Sequence, residues 1–249
     1  MPGGPGEGKP DLYAYDLCPF CTRARMIFGL KNIPHGLVWM GYDDVETPSA
    51  LIGKKLAPIL HVRGEAPMPE SMDIVRRLDE DAAWGPPLLR PASGREDLKE
   101  FEQNQWPLMR LLLHTRFVQV PLPELALKGA RDYFVWQHPV EGPAGEPRPE
   151  PAEWKSWDQA TRAEWYSASF QRSQPLVSRL NGALRSLDHL IHSEDSVSPG
   201  GMSYDDVIFF CRIRPITLIK GVEICPKTQA YLENMSERTD IPLLSSMAI

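Results

Sequence analysis

The hydrophobic pattern of the chain changes once, at Trp84-Gly85-Pro86-Pro87, and that change limits the fold more than any other feature. Before it, short β-type runs alternate with helical spacings. Leu12-Tyr13-Ala14-Tyr15, Leu37-Val38-Trp39-Met40 and Ile59-Leu60-His61-Val62 predict three strands. Cys18 to Leu30 places Cys21, Ala24, Ile27 and Phe28 at helical spacing, and Asn32-Ile33-Pro34 ends that helix. Thr47-Pro48 ahead of Ala50-Leu51-Ile52 reads as a cap followed by Pro at the first helical position. Arg63-Gly64-Glu65 predicts a turn into a hairpin partner near Ala66 to Met68, then a helix from Ser71 carrying Ile74, Val75 and Leu78 on one face. This order predicts a small sheet covered by helices over residues 11–83.

After it, residues 84–94 read as a linker, and long helical patterns fill 95–249. Leu98, Phe101, Leu108, Leu111 and Leu112 fit a helix that Pro107 should break or kink. Leu176, Leu180, Leu184, Leu187 and Ile191 recur at close to the helical period, a buried face. The apolar faces at Leu108, Leu112, Leu180 and Leu184 predict permanent packing of the helical part on the first unit. Met202-Ser203-Tyr204-Asp205-Asp206-Val207 predicts a capping box, with Ser203 as cap and Asp206 bonding back, whose role is helix initiation. Five of the 25 prolines fall between Pro139 and Pro151, an insertion expected to be an exposed, mobile loop.

A chain of 249 residues, 42% hydrophobic, is long enough for a real core. A formal charge of -6 argues against a nucleic-acid-coating surface or an anionic-lipid anchor. No apolar stretch has the length of a membrane span, and Met1 to Pro10 is Gly/Pro-rich without a signal-like apolar run. The expected compartment is the cytoplasm. Four cysteines, two of them as Cys-x-x-Cys, are too few for a disulfide framework and point to redox chemistry or a metal site.

The chemistry concentrates at Asp16-Leu17-Cys18-Pro19-Phe20-Cys21. A strand delivers Cys18 to the first turn of a helix, where free amides and the helix dipole stabilise a thiolate. Cys18 is therefore the candidate nucleophile. Cys21, three residues on and more buried, can attack a mixed disulfide formed on Cys18. Half a zinc site is the competing reading, but Cys211 and Cys225 stand 14 apart and supply no second pair, so no metal is expected. Ala57-Pro58 opens the third strand and is expected to be cis, with its edge free to pair a peptide ligand. Glu70-Ser71 precedes a helix, so Ser71 is either a site for a ligand carboxylate or a simple N-cap.

Cys18 to Cys21, the run Ala24 to Pro34, Met68-Pro69-Glu70-Ser71-Met72-Asp73-Ile74-Val75 and the ending Leu243 to Ile249 together resemble the bacterial glutaredoxin 2 family. The resemblance implies a thioredoxin-like domain followed by an all-helical one, a glutathione-transferase-like architecture. It implies reduction of protein disulfides and protein-glutathione mixed disulfides, with glutathione as co-substrate and a monomeric protein. By match to the family's motifs, Cys18 is the nucleophile and Cys21 the second thiol. Pro19, Phe20, Ala57, Pro58, Glu70 and Ser71 are implied to bind glutathione. Phe20 stands where the motif usually carries Tyr, and Ala57 where it carries a bulkier Val. Two other classes stay open: a glutathione transferase, which would have no use for Cys21, and a non-catalytic glutathione or partner-binding module.

Overall fold

β1 (Asp11–Ala14) buries Leu12 and Ala14 while Asp11 and Tyr13 stay half-exposed, the alternation expected of a strand covered on one face. In the computed structural model, which describes residues 8–142 and 145–249, β1 pairs in parallel with β2 (Gly36–Trp39). It pairs antiparallel with β3 (Ile59–His61), Tyr13 facing Ile59. β4 (Met68–Pro69) adds to β3, giving the order β2-β1-β3-β4. Pro69 suits this edge because it has no amide proton to place. The first seven residues of the Gly/Pro-rich start, and residues 143–144 of the insertion, lie outside the described residues.

α1 (Pro19–Leu30) and α3 (Ser71–Glu80) pack together beside the sheet. α2 (Glu46–Ile52) begins earlier than Thr47-Pro48 predicts. Asp44 Oδ1 accepts the Thr47 N–H at 2.9 Å, so the capping carboxylate lies upstream and both Thr47 and Pro48 fall inside the first turn. α3 corrects a second expectation. Its cap position is Glu70, at φ 74°, with no capping side-chain bond, and Ser71 is already the first helical residue. The N-cap alternative for Ser71 therefore fails.

The helical part comprises α4 (Glu96–Phe117), α5 (Lys128–Gln137), α6 (Pro151–Ser156), α7 (Gln159–Ser173), α8 (Leu176–Leu190), α9 (Tyr204–Ile213) and α10 (Pro226–Thr239). Pro107 does not break α4, which continues ten residues beyond it. Its downstream turns are held by α7 and α8, and tertiary burial of Leu108, Leu111 and Leu112 offsets the missing backbone bond. The capping box forms as the sequence predicts, and it does more than start α9. Asp206 also accepts from the Val197 amide at 2.7 Å and the Tyr231 hydroxyl at 3.1 Å, while Asp205 accepts from Ser93 and Ser198.

The insertion is not simply an exposed loop. Pro139, Val140 and Pro149 are buried, and Val140 joins Leu111, Trp154 and Tyr166 in a small core of its own. Two indoles tie this segment down, Trp154 donating to the Val135 carbonyl at 2.8 Å and Trp165 to the Val140 carbonyl at 3.1 Å. Apolar cover thus comes from tryptophans flanking the prolines, which the Pro/Gly/Glu composition hides.

The sheet unit and the helices share one apolar core. The leucine faces cover one another where α4 meets α8, and the contact with the sheet unit is made by α9 and α10 against α1. A Cβ on Gly29 would lie 1.9 Å from the Thr239 carbonyl oxygen, so only glycine permits α1 to approach the end of α10 this closely. The segment joining the halves is pinned as well. Arg90 exchanges backbone bonds with Met202 and Tyr204, and the Asp79 carboxylate accepts the Leu88 and Leu89 amides. Among the described residues, no helix is long and apolar enough to cross a membrane.

Candidate active site

Cys18 caps the N-terminus of α1 with its sulfur, which accepts the Cys21 N–H at 3.4 Å. Pro19 follows at the first helical position, where its fixed φ suits the turn. The Cys18 carbonyl accepts both the amide and the hydroxyl of Thr22, at 2.9 and 3.1 Å. Cys18 is half-buried, Cys21 wholly buried, and neither is in a disulfide.

Their environments push the two thiols apart. The Cys18 thiol is held below its ordinary range, chiefly by a hydrogen bond from the Cys21 thiol and then by the Cys21 and Phe20 amides, against the opposing effect of burial. The Cys21 thiol is pushed well above it by burial, by its bond to Cys18 and by the negative charge there. One proton is thus retained by the inner sulfur while the outer one is exposed as a nucleophile.

A cavity of about 480 Å³ opens beside Cys18. Pro19, Phe20 and Ala57 line it together with Cys18, and the Ala57-Pro58 peptide is cis, as expected from its place at the start of β3. Pro58 itself is buried, directly before β3. Glu70 and Ser71 do not line this cavity. They follow Pro69, which pairs with Ile59 next to Pro58, so the sheet register sets them on the far side of the cis peptide. Glu70 is exposed, in a long ion pair of 3.9 Å with Lys54, and Ser71 is buried.

The remaining wall comes from residues that the sequence pattern did not single out. Tyr15, Tyr42, Trp106, Phe117, Tyr133 and Phe134 make it aromatic. Lys55 Nζ sits 3.8 Å from the centre of the Tyr133 ring. Phe20, 44% exposed, has the Arg23 guanidinium 4.9 Å and the Arg212 guanidinium 5.5 Å from its ring centre. His138 contacts the Phe134 carbonyl through Nδ1 at 2.9 Å, which fixes the proton there and leaves Nε2 to accept from the Tyr42 hydroxyl at 3.3 Å. His114 is buried among rings with its Nδ1 unpartnered among the described residues, and burial holds it well below its ordinary pKa. The one visible signal was a histidine closing the run Leu111-Leu112-Leu113.

The loop into Cys18 is held from outside the sheet unit. Arg214 donates to the carbonyl and the carboxylate of Asp16, and Arg25 donates to the same carboxylate at 2.5 Å. Glu124, in the turn Pro123–Leu125, accepts the Leu17 amide at 2.7 Å. Cys211 lines the cavity with its thiol bonded to the Ile208 carbonyl, and Cys225 stands at the start of α10. Among the described residues, no three His, Cys, Asp or Glu side chains are grouped to hold a metal ion.

Two family models match separate parts of the chain. Residues 154–248 match the family model of the glutaredoxin 2 C-terminal domain, and residues 12–87 match that of the glutathione S-transferase N-terminal domain. The chain is 36% identical to glutaredoxin 2 of Escherichia coli K12 over 240 residues, covering 96% of this chain and 99% of that protein. The solved structure of glutaredoxin 2 from Salmonella typhimurium in complex with glutathione superimposes with a TM-score of 0.79 at 35% identity, covering 97% of this chain and all of that one. A glutathione S-transferase from Rhodospirillum rubrum shares the fold at a TM-score of 0.53 and 14% identity, over 96% of this chain and 91% of its own.

Proposed function

The chain belongs to the glutaredoxin 2 family, and from that membership we propose a reduction cycle built on Cys18 and Cys21. The protein is a glutathione-dependent oxidoreductase with a glutathione-transferase-like fold. In the proposed cycle, the Cys18 thiolate attacks the glutathione sulfur of a protein-glutathione mixed disulfide, and the protein thiolate leaves. The glutathione now on Cys18 is released by a second glutathione, giving glutathione disulfide, or by Cys21. Protein disulfides are reduced by the same pair: Cys18 attacks one sulfur and the other leaves as a thiolate, Cys21 then closes on Cys18 and frees the first, and two glutathiones reduce the Cys18–Cys21 disulfide, giving glutathione disulfide. The observation that carries this reading is the placement of the two thiols: Cys18 caps α1 with its sulfur accepting the Cys21 N–H at 3.4 Å, and Cys21 lies wholly buried one helical turn behind it.

The Salmonella relative was solved with glutathione, which supports the same ligand here. We assign its backbone to the edge at Ala57-Pro58, its sulfur to Cys18 beside Pro19 and Phe20, and its γ-glutamyl carboxylate to Ser71 and the first amides of α3, with Glu70 at the same turn. The aromatic cavity then receives the group joined to glutathione. We take the protein as a monomer by its family resemblance, with residues 11–83 and 95–249 as its two units, joined through 84–94. We assign the protein to the cytoplasm, where reduced glutathione keeps such thiols active.

That cavity also favours a second reading, conjugation of glutathione to an apolar electrophile. A glutathione-coupled reduction assay on a small mixed disulfide, run beside a conjugation assay with an aromatic electrophile, separates the two. Turnover is expected in the first. Conjugation without reduction would overturn the proposed cycle.

A further inference from the structure

Glu124 is 1% exposed and comes from a turn outside the sheet unit, yet it reaches the residue preceding Cys18. Its Oε1 accepts the Leu17 amide and its backbone carbonyl accepts the Tyr42 amide at 2.8 Å. Its Oε2 has no hydrogen-bond partner among the described residues. A buried carboxylate oxygen without a donor is costly, and that cost makes it a ready acceptor for any proton released nearby.

The charged and titratable groups that interact with it electrostatically are Asp16, Arg214, Tyr15, Cys18 and Cys21. Arg214 directs its donors to Asp16 and to the Pro242 carbonyl instead. Burial and the Asp16 charge raise the Glu124 carboxyl, while the Glu124 charge in turn raises both thiols. Carboxylate and Cys18 thiolate therefore repel in the resting protein. Once Cys18 carries glutathione its negative charge is gone, and both the repulsion on Glu124 and one restraint on Cys21 are removed. Cys21, wholly buried, must lose a proton at that moment.

We propose that Glu124 takes up the proton that Cys21 loses when it closes a disulfide with Cys18, so that the helical part supplies the base for two thiols set on α1. This rests on the reading of Cys18 and Cys21 given above. The Cys21 S–H bond breaks and its proton passes to the Glu124 carboxylate. The Cys21 sulfur bonds to the Cys18 sulfur as the bond from Cys18 to glutathione breaks. Cys21 is oxidised, and the glutathione sulfur leaves reduced, as a thiolate with the bonding electron pair.

The test is a single-turnover reaction of the reduced protein with glutathione disulfide, acid-quenched and followed by intact mass from pH 5 to 9. The glutathione adduct on Cys18 appears and then decays as the internal disulfide closes. E124Q keeps an acceptor for the Leu17 amide but cannot take a proton. Its ratio of closing rate to attack rate at pH 7 is expected to fall by about 10²-fold, the scale of a general base, and the acid-side inflection of closing is expected to vanish. E124D should recover part of the rate and retain the inflection, and it carries the test if the Gln variant unfolds. E124Q closing with the parent's rate and pH profile would overturn the proposal, as would equal slowing of attack and closing. A parent protein that forms no adduct would overturn the reading of Cys18 itself.

Discussion

The Arg214 guanidinium, buried in the helical part, meets Asp16 two residues before Cys18, donating to its carbonyl and to its carboxylate at 3.0 Å each. Arg214→Ala leaves the Asp16 carboxylate with Arg25 and removes the bond to the Pro242 carbonyl. Because Arg25 still pairs the Asp16 carboxylate, the loss is that of charge-assisted hydrogen bonds, and urea unfolding should show a destabilisation of about 1.5–3 kcal/mol. An unchanged midpoint would mean that the pair adds nothing to the junction.

Cys18→Ser should abolish turnover, whereas Cys21→Ser should keep part of the activity on glutathione mixed disulfides, since free glutathione can resolve the adduct. Equal residual activities would refute the division of roles.

The Cys21 thiol is the largest influence lowering Cys18, which predicts a graded effect. In a thiolate absorbance titration, Cys18 should titrate below the ~8.5 of a free thiol. Cys21→Ser keeps a donor and should move it little, while Cys21→Ala should move it upward. A Cys18 midpoint insensitive to Cys21→Ala would reject the hydrogen bond as the cause.

Ser71 is the first helical residue and no cap, so Ser71→Ala should leave melting nearly unchanged. If it holds the γ-glutamyl carboxylate, loss of a charge-assisted bond worth roughly 1.5–3 kcal/mol should raise the glutathione concentration needed for half-maximal rate by about tenfold or more. A variant that saturates like the parent would remove Ser71 from the glutathione site.

His114 is held neutral by burial, its folded pKa lying well below the ordinary value. The folded state therefore binds fewer protons than the unfolded one, and this group's stability contribution is intact above about pH 6.5 and lost as pH falls below it. The loss should approach about 1.4 kcal/mol per pH unit. His114→Phe, among the rings of Trp106, Phe117 and Phe134, should flatten the decline between pH 7 and 5 in denaturant titrations. Parallel curves for parent and variant would count against it.

Local pattern made the sheet unit and the start of α9 readable: strand alternation at Leu12 and Ala14, the cis peptide at Ala57-Pro58 and the cap at Ser203 each depend on a few adjacent residues. The placement of Cys18 and Cys21 in the first turn of α1 was readable for the same reason. Pro107 does not break α4, and the proline-rich insertion, exposed at residues 145–148, is anchored at Pro139, Val140 and Pro149, because packing from α7, α8, Trp154 and Trp165 outweighs local propensity. Glu124, Arg214 and the aromatic wall could not be seen at all, since their importance arises from contacts more than a hundred residues apart, Leu17 with Glu124 and Asp16 with Arg214. A carboxylate between Pro123 and Leu125 gave no sign of its partner.

Those long-range anchors also set an order of events during synthesis. Asp16, Leu17 and both thiols leave the ribosome long before Glu124, and Arg214 comes later still. Domains tend to fold from the N-terminus as the chain emerges, so the Cys18 loop spends most of translation without the contacts that fix its shape. A nascent chain stalled before Arg214 should accordingly react with thiol reagents less selectively at Cys18, which makes the reactive thiol a property of the finished protein.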